Sequence, residues 1–140
     1  MTRRIRSQEY NGNIFFTSST GVKKIEDVTI PISNAGIPNS LDLVCLAQTP
    51  SAGHPSIFTT NEIVRYRTVW GITDANNNLV LGAPSQGQIV FASGATQDVR
   101  LTVKIPQYIS TRNFLQVYRS KKTTSPALPV DELFLVYEAP

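Results

Sequence analysis

Cysteine and histidine are almost absent from this chain: Cys45 and His54 are the only ones among 140 residues. A lone cysteine cannot close an intrachain disulfide. Two potential ligands fall short of the roughly four that a structural zinc site takes, so no metal or other cofactor is expected. His54 is boxed between Gly53 and Pro55, which is poor ground for a Ser-His-acid relay. Cys45 lies in the apolar run Leu41-Asp42-Leu43-Val44-Cys45-Leu46. There a thiol packs as a small hydrophobe rather than reacting as an exposed thiolate.

Long apolar runs are missing as well. No stretch approaches the roughly 18 residues that a bilayer-spanning helix needs. The basic start Met1-Thr2-Arg3-Arg4-Ile5-Arg6 is not followed by the apolar stretch of a secretory signal. A soluble chain without a membrane partner is the expectation. Charge is sparse too. The net charge is +3, and Arg3, Arg4 and Arg6 account for all of it, so residues 7–140 balance. A nucleic-acid-binding domain gathers its cations on one face of the fold, whereas here only the N-terminal arm is basic.

Catalytic patterns fail on residue types. Neither Gly-x-x-x-x-Gly-Lys nor Gly-x-Gly-x-x-Gly occurs. The adjacent acids Glu26-Asp27 and Asp131-Glu132 would point to opposite faces of a strand, so neither pair converges on one substrate. The sequence therefore predicts no catalytic residue, no small-molecule substrate and no enzyme.

What the chain does have is alternation with a period of two, punctuated by Gly, Pro, Asn and Ser. No window repeats apolar residues at helical spacing. Residues 13–17 and 22–25 read as strands of one hairpin around Ser18-Ser19-Thr20-Gly21. Residues 26–40, rich in Pro, Gly and Asn, read as a linker. Further strands are expected at 41–48, 62–72, 79–81, 88–92, 98–105, 114–119 and 133–137. In the strand 62–72, Val64, Tyr66, Thr68 and Trp70 share one face and Arg65 and Arg67 the other, with Trp70 a core anchor. In 98–105, Val99, Leu101, Val103 and Ile105 face in, and Asp98, Arg100, Thr102 and Lys104 face out. About seven short strands after residue 40 match a sandwich of two sheets. The domain reading is residues 1–40 as arm, hairpin and linker, and residues 41–140 as an all-β, antiparallel sandwich of fibronectin type III or immunoglobulin-like type.

The stretch from Tyr66-Arg67-Thr68-Val69-Trp70-Gly71 through Asp74-Ala75-Asn76-Asn77-Asn78 to Gly82-Ala83-Pro84-Ser85 resembles fibronectin type III-like modules of phage tail proteins. Val99-Arg100-Leu101-Thr102-Val103 and Phe114-Leu115-Gln116-Val117-Tyr118-Arg119-Ser120 fit the same modules. Asn11-Gly12-Asn13-Ile14-Phe15-Phe16-Thr17 through Ile25 is similar to part of a β-propeller blade. A propeller carrying a fibronectin-like insertion is similar to the tail nozzle (tail tubular) proteins of short-tailed phages. Asn77 stands where the family often has Gly. One blade hairpin cannot make a propeller, because repeat architectures need several units to bury a core.

The resemblance implies a structural component of a virion tail. It would contact other tail proteins and copies of itself, with DNA only as passing cargo in a channel. Expected contact residues are Arg3, Arg4 and Arg6 in the arm, Phe58 and Tyr108 in loops, and the basic pair Lys121-Lys122. The alternative is a carbohydrate- or cell-surface-binding sandwich using loops 49–61, 73–78 and 120–130, which an exposed aromatic at Phe58 or Tyr108 would favour. The arm and hairpin are expected to be the least stable region unless a partner covers them.

Overall fold

The computed structural model describes residues 5–25, 29, 32–53, 55–73, 78–94, 97–107, 109 and 111–140. Among them there are strands and no helix, and every strand pair is antiparallel. The all-β antiparallel class follows directly.

The N-terminal part is a four-stranded meander of β1 (Ser7–Tyr10), β2 (Asn13–Ser18), β3 (Gly21–Ile25) and β4 (Ser33–Asn34), paired in chain order. The sequence shows only the β2–β3 hairpin. β1 reads Ser-Gln-Glu-Tyr, with no apolar alternation to mark it. Its strand is made by the turn that follows: Asn11 (φ 50°) and Gly12 (φ 72°) are both left-handed, as a two-residue hairpin turn demands. β4 lies in the stretch expected to be a linker. A bond from Lys23 Nζ to Asn34 Oδ1 and one from the Ala35 N–H to the Val22 carbonyl hold it to β3.

The spine of the molecule is β6 (Glu62–Thr73). On one side it pairs with β10 (Asn113–Ser120), and then with the short β11 (Thr123–Thr124). On the other it pairs with β7 (Leu79–Leu81) and β8 (Gln88–Phe91). β12 (Leu133–Ala139) lies beyond β10 and ends the sheet. β11 falls within the expected loop 120–130; it forms because the chain leaving β10 stays along β6 for two more residues.

β5 (Leu43–Gln48) and β9 (Asp98–Val103) form a two-stranded sheet. The core joins it to the six-stranded one: Leu43, Phe58, Val64, Tyr66, Val90, Ala92 and Val117 are buried together. Cys45, Ala47, Val99, Leu101, Val103 and Leu115 pack against them, half-buried. Val64, Tyr66, Thr68 and Trp70 are all buried, as the alternation requires, although Trp70 stands outside that cluster. Ile105 does not face in. β9 stops at Val103, ahead of Pro106, and Ile105 is 69% exposed.

Candidate interaction surfaces

Phe58 was the loop aromatic expected at the surface, and the fold puts it elsewhere. Its backbone bridges to Gln97, and Ser56 Oγ donates to the Phe58 carbonyl at 2.7 Å. This draws the loop onto the sandwich and inserts the ring into the core, where it is 1% exposed. Burying a large ring at an open end of the sandwich removes more apolar surface from water than a solvated loop would. The ring is thus lost both as a partner contact and as a sugar-stacking platform. Lys122 lies over it, with Nζ 5.5 Å from the centroid, and also pairs with Glu62 at 3.1 Å.

Lys121 is exposed. Its Nζ stands 5.3 Å from the centroid of Phe134 and 4.0 Å from Glu132 Oε2. The two lysines that read as one basic cluster therefore serve different neighbours. Lys122 pairs at the core end, and Lys121 sits at the start of β12. Arg6 is exposed, and its carbonyl accepts from the Thr17 N–H at 3.1 Å, which ties the end of the arm to β2. Arg3, Arg4, Tyr108, His54, Glu26 and Asp27 lie outside the described residues.

The face of the six-stranded sheet that carries Arg65 and Arg67 is partly covered. Asp131 reaches back to Arg65 and stands 3.7 Å from Arg67. The Ser125 N–H donates to the Asn61 carbonyl at 2.9 Å, so the segment between is anchored at both ends. Gln116 Nε2 donates to Glu138 Oε2 at 2.6 Å, which links β10 to β12, and within β10 Tyr118 Oη donates to Gln116 Oε1 at 2.8 Å. Asp131 is therefore a largely exposed loop carboxylate, 71% accessible, that also pairs with both arginines.

Among the described residues, three ionisable groups are perturbed. Burial pushes the Cys45 thiol up to about 11, the opposite of what a nucleophile needs. Burial also raises the Tyr66 phenol, against the opposing pull of Arg119. The Glu62 carboxyl is held below its ordinary value, first by the Thr59 N–H and then by Lys122.

One open groove of about 390 Å³ lies between the β3–β4 edge and β7. Its lining is mainly aliphatic, from Ile37, Ile72, Val80 and Leu81, with Lys24 and Asn34 at the rim. Among the described residues its lining includes neither an aromatic ring nor a carboxylate, the usual equipment of a sugar site.

A further feature is apolar surface that strand reading passes over. Phe134, Leu135, Val136 and Tyr137 on β12 are all exposed, as are Tyr10, Ile14 and Val22 on the N-terminal sheet. The signal was available: Leu133-Phe134-Leu135-Val136-Tyr137 is apolar without alternation, as a strand covered on both faces would be. No family model matches this chain, no curated protein matches it, and no solved structure matches it. What the chain's own geometry defines is an all-β antiparallel protein, a sandwich with a four-stranded meander before it.

Proposed function

We propose that this chain is a structural module of a phage virion tail, working through contacts with copies of itself and with neighbouring tail proteins. The observation that carries the assembly reading is exposed apolar surface on strands: Phe134 and Tyr137 share one face of β12, and Tyr10 and Val22 share one face of the meander. Monomers rarely leave contiguous apolar surface in water, and such patches mark interfaces. A sheet must bury a face against another layer to be stable. The tail setting rests on the likeness of residues 66–85, 99–103 and 114–120 to fibronectin type III-like modules of tail proteins. The meander adds support. A four-stranded antiparallel sheet is the unit of a propeller blade, which buries its faces only against neighbouring blades.

The test is solution mass across a concentration series, by light scattering after size exclusion. Species heavier than the 15.4 kDa chain, growing with concentration, are expected. A strict monomer at every concentration overturns autonomous assembly.

A further inference from the structure

Arg119 points to the side of its strand where a charge is least at home. In the β-ladders it stands opposite Tyr66 on β6 and Phe134 on β12, while Tyr137 stands opposite Val117. Directly opposed residues of paired strands share a face. Tyr66 and Val117 belong to the buried core, so Arg119, Phe134 and Tyr137 all lie on the core side of the six-stranded sheet. The two-stranded sheet leaves them partly uncovered. Arg119 is half-buried, and Phe134 and Tyr137 are 42% and 59% exposed.

The other cations described on β6, on β10 and just after β10 each have an acid at hand. Arg65 and Arg67 share Asp131, Lys121 has Glu132, and Lys122 has Glu62. Among the described residues no carboxylate pairs with Arg119. Its guanidinium lies close enough to the buried Tyr66 phenol to favour that group's ionised form against desolvation. A guanidinium keeps its charge at any ordinary pH. A charge drawn out of water without a partner is costly, and one side of this one is still open to a partner from outside.

We propose that Arg119 is the floor of a docking site for an acidic side chain of a neighbouring protein, flanked by Phe134 and Tyr137. This rests on the assembly reading above and names the chemistry of one contact. The charge count is what selects an acid. Lys121 stands on the same face, with Nζ 5.3 Å from the Phe134 centroid, and Glu132 offsets it, so Arg119 leaves one positive charge over. One carboxylate matches it, and the guanidinium fork takes a carboxylate through two parallel hydrogen bonds. The rings beside it would keep water from that pair, which strengthens it. A nucleic-acid strand fits poorly. A row of phosphates needs a row of cations, and Glu132 and Glu138 bracket the run Leu133–Tyr137. A sugar acid would set hydroxyls beside Phe134, Leu115 and Val117, whose side chains offer no hydrogen bond.

The test uses capped Leu-Glu-Leu and Leu-Gln-Leu peptides, titrated into the whole chain and followed by NMR at the Arg119 Nε–H and at the Phe134 and Tyr137 amides. The expected result is saturable shifts with the glutamate peptide, at least tenfold weaker binding of the glutamine peptide, and loss of the difference in Arg119→Met. Arg119→Met should fold as well as wild type, because replacing an unpaired half-buried charge by an apolar chain of similar length removes a desolvation cost. Should it unfold, Arg119→Lys reads the same site, keeping the charge but losing the fork, with weakened preference for glutamate expected. Equal binding of the two peptides, or none of either, overturns the site. A thymidine oligonucleotide that shifts the same signals at lower concentration than the glutamate peptide overturns the acidic-protein partner. A wild type that self-associates in the mass series yet ignores the glutamate peptide overturns this site while the assembly reading stands.

Discussion

Thr68 and Ser85 hold each other by two hydrogen bonds: the Thr68 N–H donates to Ser85 Oγ at 3.0 Å, and the Ser85 N–H donates to the Thr68 carbonyl at 2.9 Å. Ser120 does similar work across β6, where its Oγ accepts from the Arg65 N–H at 3.0 Å. Ser85 fills the gap between β7 and β8, and Ser120 the gap where β10 gives way to β11. Both side chains are buried, so losing either hydroxyl strands a β6 amide without a partner. Ser85→Ala and Ser120→Ala should each lower the unfolding free energy by about 1–3 kcal/mol in urea titrations. A change below about 0.5 kcal/mol, typical of neutral surface positions, would refute the role.

Those two serines also show how much could be read beforehand. Ser85 closes Gly82-Ala83-Pro84-Ser85 and Ser120 closes Tyr118-Arg119-Ser120, so both motifs were visible, but not the bonds they make. Strands with strict alternation, β6 and β9, were legible because one face is dry. β1 and β4 were not, since a turn and a lysine bond create them rather than apolar pattern. Phe58 was misplaced because a lone aromatic in a Gly, Pro and Ser-rich loop carries no period to say which way it points. The β12 surface was missed for another reason: an unbroken apolar run reads as a covered strand, and only the sheet order shows that, among the described residues, no strand pairs with its outer side.

Gly82 sits where backbone meets backbone. A Cβ there would lie 2.6 Å from the Pro38 carbonyl oxygen and 3.2 Å from that of Trp70. The Gly82 N–H also donates to the Trp70 carbonyl at 2.8 Å, which prevents retreat. Gly82→Ala should destabilise by about 1–3 kcal/mol, the usual cost of overpacking, as a lowered thermal midpoint by calorimetry. An unchanged midpoint would show that the 37–40 segment yields freely.

Glu62 should give a pH signature. Its folded pKa lies below the ordinary 4.5, so its contribution is complete above that value and fades as pH falls through the folded pKa. Glu62→Gln should therefore lower the urea midpoint at neutral pH, and the gap to wild type should close in acid. A gap that is constant down to the lowest accessible pH would mean that packing, not ionisation, explains it.

Cys45 should be chemically quiet. With its pKa near 11, the folded thiol holds almost no thiolate at pH 8. Labelling by a disulfide reagent should be at least tenfold slower in the native protein than in denaturant. Equal rates would place the thiol in water.

Amide exchange should divide the molecule. β6 amides at 64–70, paired or capped on both sides, should be the last to exchange. Those of β1, whose residues are all exposed, should be among the first. Mass-spectrometric exchange of the dilute chain reads this, and strong protection across residues 7–18 would contradict it.

Bonding along both edges of β6 has a mechanical consequence. Tension applied along that strand loads its ladder bonds side by side, in shear, and they must break together. Tension on β1 instead opens the Asn11-Gly12 hairpin pair by pair, like a zip. The sandwich is therefore the part of this chain that can transmit force, and the N-terminal meander is the part that gives way first.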